Sequence, residues 1–350
     1  MRGSAWSLIE QAAAQSIQFL ITVLLARLLT PADFGLVGML GIFVVLSQSL
    51  LDAGFGMALV RKTDATHLDE CSVFYFNLGM GLCLSILFYG AAPAIAAFYR
   101  QPALTDLARA LSCLFIIQSA GSLQAALLLK GLRFKRQTLI SMGATVASGT
   151  VGVWAAWHGH GVWSLVYSTL TFAAVRAALL WWGSPWRPAW IFSGAALRNL
   201  FGFGSRILSA GLLNQTFDEL YSVVIGRFFS AGDLGFYTRA RRLQQLAVNY
   251  PSEALNRVSF PLFAQLQNDP ARLGAGFQRA LEWMIAVQFG LLTGLIVVAE
   301  PMIVSIFSAR WQASAPYFQL LCMAGMLYPV SLLNMSALQA LGRADLFLRL

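Results

Sequence analysis

Charged residues are scarce in this chain, and their scarcity excludes most classes of soluble protein. Only 11% of the 350 residues are charged, whereas 58% are hydrophobic and the mean hydropathy is +0.66. A soluble globular domain carries charge on about a quarter of its residues. Apolar runs of about 20 residues, long enough to cross a bilayer, recur along the chain. The composition therefore predicts a polytopic membrane protein built from α-helices.

Cysteine and histidine are also rare, and neither forms a recognisable metal or redox motif. The four cysteines are Cys71, Cys83, Cys113 and Cys322. Their spacing fits no zinc or thiol-redox site, so we expect all four to fill small apolar core positions. His158 and His160 supply at most half of a metal site. We therefore predict no bound metal.

Motifs of catalysis and of nucleotide binding are missing as well. The chain has no Gly-x-x-x-x-Gly-Lys-Ser/Thr loop and no Gly-x-Ser-x-Gly elbow. We therefore predict neither an enzyme nor a cofactor. The net charge of +9 comes from Lys and Arg between apolar runs, where such residues set membrane topology. Nucleic acid is therefore not an expected partner.

The chain repeats itself at an offset of 200 residues. The run LLARLLTPADFG at residues 24–35 returns as VIGRFFSAGDLG at residues 224–235. A long repeat in an apolar chain is typical of transporters built from two similar helical bundles. Asp33 and Asp233 are expected to form a helix cap or an ion pair at the turn. Gly35 and Gly235 are expected to open the next helix or to permit a tight turn.

Ten membrane spans are predicted, with short connections between them. They lie near residues 5–29, 35–60, 71–98, 103–129, 137–157, 161–182, 199–229, 236–262, 279–307 and 314–341. The break at 183–198 holds two prolines, which cannot continue a helix, and tryptophans suited to the headgroup region. We predict an N-terminal six-helix lobe at 1–182 and a cytoplasmic linker at 183–198, with an interfacial helix near 193–198. The C-terminal lobe is then 199–350.

The repeat also predicts the relation of the two lobes and the extent of the second. Six spans is an even number, so the second lobe enters the membrane from the same side as the first, and the lobes are parallel and pseudo-symmetric. By that symmetry the fifth and sixth spans would have counterparts after about residue 341. Residues 344–349 are long enough only to begin another helix. We therefore expect about four spans and a partial fifth, a truncated second lobe.

The distribution of Lys and Arg predicts the orientation, because these residues accumulate on the cytoplasmic side. One set of connections carries Arg2, Arg61, Lys62, Lys130, Arg133, Lys135, Arg136, Arg187, Arg198, Arg272, Arg279 and Arg343. The alternate set carries Arg27, Arg100, Arg109, Arg227 and Arg310. The first set is more than twice as rich, so the amino terminus and the linker are expected in the cytoplasm.

Three of the spans carry polar side chains at helical spacing. The first span carries Gln11, Gln15, Gln18 and Thr22, with Glu10 beside them. The seventh span carries Gln215, Asp218 and Ser222, with Glu219 beside them. The eighth span carries Arg239, Arg242, Gln245, Asn249, Glu253 and Asn256, with Arg241 beside them. Polar groups in hydrocarbon need water or a partner. For the seventh and eighth spans we favour a water-filled cavity, although hydrogen bonds between helices remain the alternative. Isolated residues such as Asn77 are expected to bond between helices. Arg176 and Asp52, lone charges near span ends, are expected to snorkel or to pair locally.

Three runs of the sequence resemble a known family. They are ARLLTPADFG within 24–35, LDAGFGMALVRK at 51–62 and LGFYTRARRL at 234–243. Together they are similar to the Wzx-type oligosaccharide flippases of the multidrug/oligosaccharidyl-lipid/polysaccharide exporter superfamily. The similarity points to the branch of colanic-acid and exopolysaccharide exporters, and it extends over essentially the whole chain.

The resemblance implies a membrane transporter with two helical lobes around a central cavity that works by alternating access. It implies a polyprenyl-pyrophosphate-linked oligosaccharide as substrate, flipped across the bacterial cytoplasmic (inner) membrane for lipopolysaccharide or exopolysaccharide biosynthesis. Membrane lipids, a polysaccharide polymerase and glycosyltransferases are the further partners it suggests. The alternatives are a multidrug and toxin extrusion antiporter and a non-transporting membrane scaffold. Arginines lining a cavity would repel the cationic drugs of the former.

Under this resemblance the polar side chains acquire specific roles. Arg239 and Arg242 become the primary anion contacts, because arginine forks match phosphate oxygens, and Arg241 and Arg206 become secondary ones. The uncharged side chains expected to contact the sugar are Gln11, Gln15, Gln18, Gln215, Gln245 and Asn249. The acidic side chains expected to couple transport to an ion or proton are Glu10, Asp218 and Glu219.

Overall fold

The structure, a computed structural model, describes residues 2–52, 55–62, 64–266 and 269–340, and all regular secondary structure within them is helical. The elements are α1 (Arg2–Leu28), α2 (Pro31–Asp52), α3 (Phe55–Arg61), α4 (His67–Tyr99), α5 (Leu104–Lys130), α6 (Phe134–Trp157), α7 (Trp163–Gly183), α8 (Gly194–Phe228), α9 (Ala231–Leu266), α10 (Pro270–Val297), α11 (Ala299–Phe307), a 3₁₀ turn (Ala309–Trp311), α12 (Ser314–Gly325) and α13 (Tyr328–Ala340). The predicted all-α class is confirmed.

Seven segments of the described chain are long and apolar enough to cross a membrane. They are Pro31–Arg61, His67–Tyr99, Leu104–Lys130, Phe134–Trp157, Trp163–Gly183, Ala271–Val297 and Ser314–Ala337. Each coincides with a span predicted from the sequence. The chain is therefore a multi-pass membrane protein, as predicted.

Two predicted spans are each divided between two helices. The span at 279–307 is shared by α10 and α11, and the span at 314–341 by α12 and α13. Pro301 and Pro329 lie in the first turn of α11 and α13 respectively. Proline has no backbone N–H and its ring clashes with the carbonyl four residues earlier, so it is tolerated in a first turn but ends the helix that precedes it.

The long helices α8 and α9 are more polar than the other spans. They contain 35 and 36 residues, about 50 Å at 1.5 Å per residue, yet neither is among the seven apolar segments. Of α1, whose side chains are described from Gln15 onwards, the segment Gln15–Leu28 is apolar. The expected interfacial helix near 193–198 is wrong, because Ser193 caps α8 by accepting a hydrogen bond from the Ala196 N–H, and the residues that follow are its first turns.

The chain divides into two compact units, residues 1–235 and residues 236–350. The first unit contains α1 to α8 and the first residues of α9. Within it α8 packs on α2, α3 and α4. The lobes predicted from the repeat, 1–182 and 199–350 with a linker between them, stay a prediction, since a compact unit reflects packing rather than ancestry.

Small residues let the helices of the first unit approach closely. A Cβ on Gly81 of α4 would lie 2.9 Å from the Phe115 carbonyl oxygen of α5, and a Cβ on Gly121 would lie 3.4 Å from Ala177 of α7. Such contacts are the usual basis of helix association in membranes, where burial of apolar surface gives no net driving force. The amide of Asn77 donates to the Ser122 hydroxyl at 3.0 Å, which confirms its predicted bond between helices.

The linker residues are bound to the start of α4. Trp186 is buried among aromatic rings, and the backbone N–H of Ser193 donates to the Ser72 hydroxyl at 2.9 Å. The His67 Nε2 donates to the Arg187 carbonyl oxygen at 3.2 Å. The linker therefore forms part of the first unit's packed structure instead of hanging between helices.

The same end of the first unit carries a group of lysine contacts. The Lys62 ammonium lies 2.7 Å from an Asp69 carboxylate oxygen, and this hydrogen bond raises the pKa of Lys62 above its ordinary value. The Lys130 ammonium donates to the Lys62 carbonyl oxygen at 2.9 Å. These contacts place the α3–α4 connection beside the end of α5, so that two of the cation-rich connections lie at one end of the unit.

The four cysteines do not share one environment. Cys71 and Cys322 are buried, which confirms their predicted core positions, whereas Cys83 and Cys113 are exposed. The prediction is therefore wrong for Cys83 and Cys113. Both lie on apolar spans, where an outward-facing side chain can be apolar because its surroundings are hydrocarbon, not water.

The two repeated turns form the same cap. The Asp33 carboxylate accepts from the N–H and hydroxyl of Thr30 at 2.9 and 2.7 Å, and the Asp233 carboxylate accepts from those of Ser230 at 3.1 and 2.6 Å. In return each Asp N–H donates to the hydroxyl of the same partner. This reciprocal arrangement is a capping box, and it satisfies backbone donors that the helix itself leaves unpaired. The predicted cap is confirmed in both repeats.

The glycines of the repeat lie where the starts of α2 and α9 touch, within the first unit. A Cβ on Gly35 would collide with the Ala231 carbonyl oxygen, and a Cβ on Gly235 would collide with the Pro31 carbonyl oxygen. Of the two expected roles, the structure shows the first: both glycines lie in the opening turns of a helix, and neither has a positive φ. Glycine is required because the two backbones meet reciprocally at this point.

We predict that Gly35→Ala lowers the thermal stability of the purified protein. The added methyl group meets backbone atoms that cannot rotate away, and overpacking of this kind costs about 1–3 kcal/mol. The measurement is the midpoint of thermal unfolding in detergent.

Gly41→Ala is the matched control, because it lies on the same helix with no atom within 4 Å of the added Cβ. Alanine is the better helix former, so its midpoint should equal or exceed that of the wild type. A midpoint for Gly35→Ala as high as that of Gly41→Ala would show that the two helix starts do not meet.

Candidate functional site

The predicted polar face of α1 is described only in its second half. Gln15 and Gln18 are exposed there. Glu10 and Gln11 lie on the helical backbone, and their side chains are outside the described part of the structure, as is the side chain of Arg206 on α8. Their predicted roles rest on the sequence alone.

The polar residues of α8 differ in exposure. Asp218 is exposed and accepts a hydrogen bond from the Asn214 amide at 3.4 Å, while Gln215 and Glu219 are half-buried. Ser222, one turn further on the same face, is buried at 2%. The polar face of α8 is therefore accessible around Asp218 and becomes buried at Ser222.

On α9 the two arginines predicted to contact an anion lie in different surroundings. Arg239 is 7% exposed, and its guanidinium carbon lies 5.4 Å from the centre of the Phe307 ring and 5.3 Å from that of Trp311. A guanidinium in contact with two aromatic rings gains cation–π attraction and contributes to packing. Arg242, three residues on, is exposed. Of the pair, Arg242 is the one accessible to a ligand in this conformation.

The remaining predicted contacts of α9 lie near Arg242. Arg241 and Gln245 are half-buried and Asn249 is exposed, so hydrogen-bonding groups extend over two turns beyond the arginine. Amides both donate and accept, as sugar hydroxyls do, whereas guanidinium only donates. Along this part of α9, cationic side chains therefore come first and amide side chains follow.

A polar cavity that the sequence did not predict lies inside the first unit. It has a volume of about 230 Å³ and lies between α2, α5 and α7. Its polar lining comes from Gln48, Gln118, Ser122 and Arg176. The sequence interpretation of Arg176 as a snorkelling side chain misses this cavity. Gln118 and Ser122 lie four residues apart on α5, but Gln48 and Arg176 come from other helices, so no spacing in the sequence points to the whole group.

A second cavity adjoins the first at Ser122. It has a volume of about 350 Å³, and its polar lining includes Ser49, Asn77 and Gln137. Its remaining walls are mostly apolar, with Leu208 of α8 among them. The inner part of the first unit is therefore polar on both sides of α5, which is unusual for a helix bundle in hydrocarbon.

The histidine pair does not converge on a common point. The His158 Nδ1 donates to the Trp154 carbonyl oxygen at 2.8 Å, and the His160 Nδ1 donates to that of Ala155 at 3.2 Å. Among the described residues no group of three His, Cys, Asp or Glu side chains is placed to hold a metal ion.

Comparison with known proteins identifies the family. The family described as Polysaccharide biosynthesis protein matches residues 24–316. The teichuronic acid biosynthesis protein TuaB of Bacillus subtilis is 31% identical over 99% of this chain and 72% of its own length. The lipopolysaccharide biosynthesis protein WzxC of Escherichia coli is 27% identical over 98% of this chain and 70% of its own length.

Two solved structures share the fold at low sequence identity. The lipid II flippase MurJ in an inward closed conformation gives a TM-score of 0.77 at 12% identity, covering 95% of this chain and 75% of its own. An inward-facing multidrug resistance MATE transporter of the MOP superfamily gives 0.70 at 17% identity, covering 94% and 82%. The resemblance to Wzx-type flippases is confirmed, and the chain belongs to the Polysaccharide biosynthesis protein family of membrane proteins.

Proposed function

We propose that this protein flips a polyprenyl-pyrophosphate-linked oligosaccharide from the inner to the outer leaflet of the bacterial cytoplasmic membrane by alternating access. The observation that carries the proposal is the polarity of α8 and α9, two helices long enough to cross a bilayer yet too polar to face lipid. Family membership and the fold shared with a lipid II flippase support it.

The polar faces favour transport over a scaffold role. A spanning helix whose exposed face carries Asp218 or Arg242 needs water beside that face, because an unsolvated charge in hydrocarbon costs several kcal/mol. A scaffold has no need of such faces. A transporter that carries a hydrophilic sugar across the bilayer does need them.

The charge on α9 favours an anionic substrate over the organic cations of a drug antiporter. Arg242 is exposed and Arg241 is half-buried beside it, and guanidinium forks bind phosphate oxygens in pairs. We assign the pyrophosphate to these two residues, with Arg239 holding the α9 start in place. Gln215, Gln245 and the neighbouring Asn249 then contact sugar hydroxyls, with Gln15 and Gln18 of α1, Gln11 and Arg206 as further contacts.

Asp218 and Glu219 are our proposed coupling residues, with Glu10 as a third. An exposed carboxylate on a membrane helix can bind a cation or a proton and release it again. Asp218 meets this requirement, since it is exposed and its described hydrogen bond is to a neutral amide. The coupling ion then alters the charge next to the sugar contacts on α8.

We propose that the amino terminus and the linker face the cytoplasm. Supporting this orientation, the α3–α4 connection lies beside the end of α5 at the Lys62 and Lys130 contact, and the linker binds to the start of α4. These are three cation-rich connections at one end of the first unit, and such residues stay on the cytoplasmic side. Glycosyltransferases that build the repeat unit and a polymerase that consumes it are the proposed functional partners.

We predict that Arg242→Gln reduces flipping of a defined lipid-linked oligosaccharide in proteoliposomes at least tenfold. The variant removes a charge-assisted contact with the pyrophosphate and leaves the helix intact. Arg310→Gln is the matched control, since it removes another exposed cation outside the polar face. Flipping by Arg242→Gln at the wild-type rate would contradict the assignment.

Arg239→Gln should behave differently from Arg242→Gln. Its loss removes the cation that contacts the rings of Phe307 and Trp311, so we expect a lower unfolding midpoint in detergent. Arg242→Gln should leave the midpoint unchanged. Equal midpoints for both variants would show that the two arginines share one role.

We predict that cysteines introduced at Gln215 and Arg242 react with a membrane-impermeant thiol reagent in a cysteine-free background. Leu87→Cys is the control, because Leu87 is 66% exposed on the apolar span of α4 and should face lipid. An unreactive cysteine at both polar positions would favour the scaffold alternative, in which these groups bond within the protein.

A further inference from the structure

Arg176 is the cation of the cavity between α2, α5 and α7. It lies seven residues before the end of α7 at Gly183, about 10 Å along the axis at 1.5 Å per residue. The cavity's other polar side chains, Gln48, Gln118 and Ser122, come from the two facing helices. The guanidinium and the amide side chains therefore come from three helices and line the same cavity.

The side chain of Arg176 belongs to the inner face of α7. Ala174, Ala178 and Trp182, spaced four residues apart, are exposed along one side of the helix, and Trp182 is 88% exposed. Arg176 lies two residues from both Ala174 and Ala178, which places it about half a turn away from that exposed side. A side chain that only snorkelled would need no cavity and no amides beside it.

The chemistry of the lining indicates what the cavity binds. None of the twelve lining residues in the described part of the chain is acidic, and Arg176 and the two glutamines supply hydrogen-bond donors. A cation surrounded by neutral donors attracts an anion. The volume of about 230 Å³ is several times the ~30 Å³ of one water, so a phosphoryl group with accompanying waters fits.

We propose that Arg176, Gln48 and Gln118 form a second anion site, in the first unit, which binds the pyrophosphate of the lipid carrier. The assignment of pyrophosphate rests on the proposed function. Phosphate oxygens accept hydrogen bonds from the guanidinium fork and from both amides, so the three residues act together. The site is separate from Arg242, which is in the second unit.

The test is equilibrium binding of radiolabelled inorganic pyrophosphate to the full chain in nanodiscs of neutral lipid. Arg176→Gln should weaken binding about tenfold or more, since a charge-assisted contact is lost. Arg176→Lys should be intermediate, because it keeps the charge without the fork. Gln118→Leu should weaken binding several-fold from the opposite wall of the cavity. Unchanged affinity in Arg176→Gln would overturn the proposal.

Arg133→Gln is the matched control, since it removes an exposed cation from a cation-rich connection outside the cavity. An equal loss in this control would overturn the proposal by showing a non-specific charge effect. Asp52, one turn beyond Gln48 on α2, has a side chain outside the described part. If Arg176→Gln and Asp52→Asn both lower the unfolding midpoint while pyrophosphate affinity stays at the wild-type value, Arg176 is a structural ion-pair partner and the proposal fails.

A competition experiment distinguishes the two sources of the bound phosphate, the isoprenyl carrier and the membrane phospholipid. A short-chain isoprenyl pyrophosphate should displace the label in an Arg176-dependent manner, whereas adding phosphatidylglycerol to the nanodiscs should not. Displacement by phosphatidylglycerol alone would overturn the assignment to the carrier. The flipping assay tests the proposed function independently of the binding assay. If the wild-type protein binds pyrophosphate through Arg176 but does not flip the lipid-linked oligosaccharide, the proposed function is refuted and the proposed anion site still stands.

Discussion

Hydrocarbon offers no hydrogen-bond partner, and this constraint governs the structure at every level. It requires helices, because only they satisfy each backbone N–H and C=O locally within a single span. It requires caps at exposed helix starts, which Thr30 with Asp33 and Ser230 with Asp233 provide. It also explains why Asn77 bonds to Ser122 and why Arg176 lies at a cavity with amides around it. These polar side chains therefore lie where a partner or a cavity is available.

The internal repeat has a physical counterpart in the contact between the starts of α2 and α9. Gly35 meets the backbone of the first residue of α9, and Gly235 meets that of the first residue of α2, so each copy of the motif provides both the glycine and the surface against which it fits. Reciprocal contacts of this kind arise when two similar elements lie about a local two-fold relation. The glycine that the two motifs share is then a packing requirement. The same motif nevertheless carries the resemblance by which the family is recognised.

The structure agrees best with the sequence prediction for features that depend on residues close together in the chain. Apolar run length predicted the seven apolar spans, and the position of Asp33 and Asp233 at the turn between spans predicted the caps. The structure differs from the sequence prediction where the packing of neighbouring helices determines the surroundings of a side chain. Cys83 and Cys113 are exposed, as apolar side chains on a lipid-facing surface can be. Helical spacing alone could not separate Arg239, which is buried against two aromatic rings, from Arg242, which is accessible. Periodicity identifies a helix face, but it does not say which element covers that face.

The sequence by itself determined the membrane class, the helical spans, the repeat and the family, because each depends on composition or on residues close together in the chain. Only the tertiary structure brought Gln48, Gln118 and Arg176 into one cavity, since they come from three helices and no two are neighbours in sequence. It also decided why the repeat needs glycine, through backbone atoms that lie about 200 residues away along the chain. Long-range convergence depends on how helices pack, and packing is a property of all side chains together.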